Sequence, residues 1–184
     1  MEEQVAALPF EQLGGRIVVA GIGNIFLGDD GFGVEVANRL AGRALPIGVR
    51  AGDFGIRGVH LAYELLDGYD ALVLVDAVPM GEPPGTVAII EPELELRGGD
   101  CGAADDGPAP ALDAHSMDPA VLLGMLSSLG GRVDRVLVVG CQPSVIEEGI
   151  GLSSPVAAAV DRAVEAVLEV VAELCVPNEE RSGV

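Results

Sequence analysis

Short unbroken apolar runs alternate along this chain with stretches whose apolar residues recur every three or four positions. Runs of the first kind predict strands at 17–21, 47–54, 71–76, 86–90 and 133–140. The run Ala71-Leu72-Val73-Leu74-Val75 is apolar at every position until Asp76, as expected of a strand covered on both faces. Stretches of the second kind predict helices over Val34 to Arg43, over Gly58 to Leu66, and from Asp118-Pro119 to the Gly130-Gly131 pair. The last helix is the clearest. Ser154 is placed to cap it and Pro155 to open it, while Val160, Val164, Val167, Val171 and Leu174 make one apolar stripe. Asp161, Glu165, Glu169 and Glu173 fall on another face.

Strand and helix in alternation imply an α/β fold: a three-layer, doubly wound sandwich around a largely parallel five-stranded sheet. A length of 184 residues fits one domain, with 1–14 and 177–184 expected to be loose. The Gly-, Ala-, Pro- and Asp-rich stretch from Arg97 to Asp113 reads as a flexible loop. Hydrophobic residues make up 49% of the chain and aromatic ones 3%, so the core is aliphatic.

Charge narrows the partners. Twenty-nine acids against ten bases give −19, which repels nucleic acid and anionic membranes. No apolar stretch is long enough to span a bilayer, and the acidic start Met1-Glu2-Glu3-Gln4 has no signal-peptide pattern. Cys101, Cys141 and Cys175 are scattered and odd in number, which argues against a disulfide framework or a structural zinc site. A cytoplasmic location is the expectation.

Doubly wound folds place function beyond the carboxyl ends of their strands. The first such turn is Gly21-Ile22-Gly23-Asn24-Ile25-Phe26-Leu27-Gly28-Asp29-Asp30-Gly31-Phe32-Gly33. A glycine-rich turn into a helix normally receives phosphate, but Asp29 and Asp30 would repel it. Phe26 also stands where the dinucleotide fingerprint needs its third glycine. One of the two acids is expected to cap the helix, worth about 1 kcal/mol, which leaves the other for a cation. Asp30 after strand one, Asp76 ending strand three and His115 in a loop form a ligand set for nickel, zinc, manganese or iron. They serve equally as a capping acid, a turn acid and a surface histidine, and spacing alone does not separate the two readings. His60 reads as structural or solvated, and Cys141 as part of the core or wall. The elbow of serine hydrolases, the phosphate loop of NTPases and His-Glu-x-x-His are absent.

The same glycine-rich turn with its acid pair resembles the opening motif of the hydrogenase maturation endopeptidases. The likeness continues through Asp53-Phe54-Gly55-Ile56-Arg57-Gly58, Leu74-Val75-Asp76-Ala77, Ala114-His115-Ser116 and Gly149-Ile150-Gly151-Leu152-Ser153. The resemblance implies a cytoplasmic protease that removes a C-terminal peptide from the large-subunit precursor of a nickel–iron hydrogenase once nickel is in place. It maps metal ligation and catalysis onto Asp30, Asp76 and His115, with Asp at the first position where some members have Glu. It associates Asp53, with Arg57 beside it, with substrate recognition. Nickel is then supplied by the substrate, and no tightly bound cofactor of the protein's own is expected. The partner is the hydrogenase large-subunit precursor, with no nucleic acid and no membrane. Rival readings are a non-catalytic nickel checkpoint using the same ligands, and a nucleotide-binding regulator of Rossmann type.

Overall fold

The computed structural model describes residues 15–92 and 119–176. Five strands lie in one sheet: β1 (Ile17–Ile22), β2 (Val49–Gly55), β3 (Ala71–Ala77), β4 (Val87–Ile90) and β5 (Arg135–Cys141). Their order is β2-β1-β3-β5-β4, with β4 antiparallel to β5 and every other neighbour parallel. The helices are α1 (Phe32–Leu40), α2 (Gly58–Leu65), α3 (Pro119–Ser128), α4 (Ser154–Ala157) and α5 (Val160–Leu174). This is the expected α/β sandwich, with strand boundaries displaced from the predicted ones by a residue or two. The predicted loop at 97–113, the cap Asp118 and the two terminal segments lie outside the described residues.

Position in the sheet explains composition. β1 and β3 are central and buried at every residue, which is why their sequences are unbroken apolar runs. The edge strands β2 and β4 are only partly covered. Side chains alternate between faces, so Val19, Val73 and Val75 pack with Phe32, Val36, Val160 and Val164 of α1 and α5. Val18, Leu72 and Leu74 pack with Leu61, Leu65, Leu122 and Leu126 of α2 and α3. The apolar stripe of α5 is buried as expected, except that Leu174 at its end is only partly covered.

Two expectations fail locally. The final helix is not continuous from Ser154. The Ala159 N–H turns to the Val156 carbonyl three residues back, the ladder tightens, and α5 starts afresh at Val160. The cap residue is Ser153 and not Ser154, and its side chain makes no capping bond because it is used elsewhere. The glycine missing at Phe26 has its counterpart seven residues on, where Gly33 allows close helix–strand packing. A Cβ there would collide with the carbonyl oxygens of Ile22 and Val75, so α1 rests directly on the backbones of β1 and β3. Gly33→Ala is expected to cost more than about 3 kcal/mol, since both obstacles are backbone in the sheet centre. Urea unfolding within 1 kcal/mol of wild type, on the order of the error in such data, would contradict that close contact.

Candidate active site

From β1 the chain goes to β2 on one side, and the next strand, β3, lies on the other. The carboxyl ends of β1 and β3 therefore flank a topological switch point, the place where folds of this class put their binding crevice. Buried polar side chains among the described residues are three in number, all carboxylates, and all in this region: Asp29, Asp30 and Asp76.

Gly23 turns the chain at φ 124°, a conformation open to glycine, and the path then closes in a 3-10 turn at Gly28–Gly31. The Asn24 N–H donates to Asp30 Oδ2 at 2.6 Å, and the Phe26 N–H to Asn24 Oδ1 at 3.0 Å. Neither acid caps a helix, contrary to expectation: Gly31 stands at the start of α1, and no side-chain capping bond is made there or at the 3-10 turn.

Asp29 turns away instead and grips the loop between β5 and α4. Its Oδ2 accepts from the Ser144 N–H (2.8 Å), the Val145 N–H (3.0 Å) and the Ser153 hydroxyl (2.9 Å). Its Oδ1 accepts from the Ser153 N–H at 2.6 Å. Burial alone would raise its pKa, but the hydrogen bonds from Ser153, Val145 and Ser144 outweigh it and hold the carboxyl low. Sequence reasoning missed this role. Its one available sign is a second acid that capping does not need.

Asp76 is the last residue but one of β3, across the switch point from the acidic turn, and its Oδ1 accepts from the Ala77 N–H at 2.8 Å. Burial pushes its pKa up to about 7, and the negative charge of Asp30 adds to the rise against the lowering effect of that bond. Two carboxylates are thus brought together, one of them poised near neutrality. A carboxyl held near neutrality by burial and a neighbouring charge marks a candidate functional site. Among the described residues no third His, Cys, Asp or Glu completes a metal-holding group. His115, the expected third member, lies outside the described residues, as does Cys101.

The remaining candidates flank this centre. Asp53 pairs in register with Gly21 across β2 and β1, and the Gly23 N–H bonds the Gly55 carbonyl, so the end of β2 is tied to the acidic turn. Asp53 and Arg57 are exposed, and Arg57 Nε donates to the Phe54 carbonyl at 3.4 Å. They stand on the rim one strand away from β1 and not in the Asp30–Asp76 centre. His60 is exposed on α2, in keeping with a solvated role. Cys141 is buried, and burial together with the charge of Asp29 raises its thiol pKa to about 11 against the opposing effect of Arg162. It is wall and not nucleophile.

Comparison with known proteins agrees with the fold. A family model described as hydrogenase maturation protease matches residues 34–170, a span that includes Asp53, Asp76 and His115 and begins after Asp30. The hydrogenase expression/formation protein HupD of Rhodobacter capsulatus is 34% identical over 84% of this chain and 70% of its own length. The hydrogenase 2 maturation protease of Escherichia coli is 32% identical over 86% and 92%. Among solved structures, the E. coli hydrogenase maturating endopeptidase HybD superposes with a TM-score of 0.67 at 32% identity, covering 86% of this chain and 93% of that one. A hydrogenase 2 maturation peptidase from a Thaumarchaeota archaeon gives 0.63 at 33% identity, covering 85% and 98%.

Proposed function

The chain belongs to the hydrogenase maturation protease family, and from that premise we propose that it is the endopeptidase that trims the C-terminal extension from a nickel-loaded large-subunit precursor. The observation that carries the reading is the buried Asp30–Asp76 pair at the switch point. Two carboxylates sharing a desolvated site repel each other, and an arriving cation relieves that repulsion and displaces the proton that Asp76 holds near neutral pH.

In this reading the cation is the substrate's own nickel, anchored by the precursor's thiolates. Asp30, Asp76 and His115 complete its coordination, and docking on the metal brings the scissile bond to the carboxylates. An imidazole nitrogen beside carboxylate oxygens makes a mixed N,O set of the kind that Ni(II) accepts. Asp53 and Arg57, on the rim at the end of β2, are assigned to hold the precursor beside the metal. The chain then needs no tightly bound cofactor of its own. A cytoplasmic location goes with this role. No helix among the described residues is long and apolar enough to cross a membrane.

The test treats apo-precursor and nickel-loaded precursor with metal-stripped enzyme and weighs the products by mass spectrometry. Loss of the C-terminal peptide only from the nickel-loaded form is the expected result. Processing of both forms at similar rates would show that peptide sequence alone is read. Tight binding of loaded precursor without any cleavage would make the protein a checkpoint and not a protease.

A further inference from the structure

Large apolar side chains gather on one patch of surface. Ile25 is 47% and Phe26 61% exposed on the turn after β1, and Val145, Ile146 and Ile150 are 46%, 38% and 83% exposed on the loop after β5. The two segments are one backbone unit. Leu27 and Gly149 form a parallel bridge, the Gly28 N–H donates to the Gly149 carbonyl at 3.0 Å, and the Gly149 N–H to the Phe26 carbonyl at 2.9 Å. The Asp29 N–H reaches the Val145 carbonyl at 3.0 Å while its carboxylate grips the same loop. The apolar side chains are therefore held out to solvent on a fixed backbone and do not fold back to cover themselves.

A rigid apolar patch of this kind is uncommon on a soluble surface unless something docks there, and fixing it beforehand removes ordering cost from binding. It begins beside Asp30, in the same turn. Glu147 and Glu148, both exposed, sit between Ile146 and Ile150. With these two carboxylates within it and a net charge of −19, the patch disfavours a second copy of this chain or an anionic membrane and favours a basic partner.

We propose that the two stitched loops form a docking shelf for the precursor segment around the scissile bond, which is recognised through bulky apolar side chains alongside basic ones. The proposal rests on the function assigned above, and it adds the chemistry of the peptide that the site selects.

The experiment uses the full chain and nickel-loaded precursor, with cleavage kinetics and, separately, binding to immobilised precursor. The paired substitution Phe26→Ser with Ile150→Ser is expected to raise KM about tenfold and weaken binding to match, while kcat falls less than twofold, the split expected of lost uniform binding. Both side chains are mostly exposed, so the thermal unfolding midpoint serves as the folding control. Glu147→Lys with Glu148→Lys is expected to raise KM about threefold at low salt, with the effect fading at high salt as charges are screened. Unchanged binding in both paired variants overturns the shelf. Wild-type binding without cleavage, weakened in the variants, keeps the shelf and overturns the protease reading. Self-association of wild type that Phe26→Ser with Ile150→Ser dissolves would assign the patch to a second copy and overturn the proposal.

Discussion

Asp76→Asn is expected to give a protein that is more stable than wild type and inactive. The pKa of Asp76 rises from an ordinary 3.8 to about 7 in the folded chain, so the native state holds this proton more tightly than the unfolded state does. Wild-type stability from this group is therefore full below about pH 4, declines as pH rises through about 7, and is flat above. Asparagine has no charge to bury and keeps an oxygen for the Ala77 N–H. The two proteins should unfold alike near pH 4 and separate by roughly 2–4 kcal/mol at about pH 8, one pKa unit being about 1.4 kcal/mol. Urea titrations in chelator-treated buffer measure this, and mass spectrometry of the precursor measures activity. Superposed curves at the higher pH would mean that Asp76 is not held protonated. Wild-type cleavage by the variant would remove its carboxylate from the chemistry.

Asp29→Ala should be among the most destabilising changes at this end of the sheet. It removes four hydrogen bonds to a carboxylate and strands the N–H groups of Ser144, Val145 and Ser153. Hydrogen bonds to charged groups contribute about 1.5–3 kcal/mol each but are not additive, and water can enter, so about 3–5 kcal/mol is expected in total. Because the carboxyl's pKa is depressed, its contribution is present above about pH 4 and is lost as acid protonates it in the native state. Hydrogen exchange gives the local reading: amides 144, 145 and 153 should lose protection in the variant even where the sheet retains it. Asp29→Asn should fall between, because whichever way the amide is placed its NH2 meets a backbone or hydroxyl donor. Full protection of those amides in the alanine variant would show that the loop is held without Asp29.

Much of this architecture was legible in the sequence because burial on both faces writes itself as an unbroken apolar run. β1 and β3 were readable for that reason, and Asp76 stood out as a carboxylate ending such a run. The meeting of Asp30 with Asp76 was not written in spacing. It depends on strand order, which puts β3 beside β1 although β2 intervenes in the chain. The role of Asp29 was hidden for a stronger reason: its partners lie 115 to 124 residues away. Local rules see an acid in a turn and assign a cap. The break before α5 also escaped notice, because an apolar stripe has the same period whether the helix is continuous or restarts.

That same long span has a consequence for how the protein comes to work. Closing a loop of more than a hundred residues is entropically expensive and is favoured only once the contacts that reward it exist. As the chain is synthesised from its N-terminus, the acidic turn emerges early, but the residues that hold it arrive only after β5 has been made and added to the sheet. The clamp on the acidic turn is thus assembled in two instalments separated by most of translation. A chain released short of Ser153 would carry Asp30 and Asp76 yet lack the far half of the clamp, so competence to cut coincides with completion of the fold.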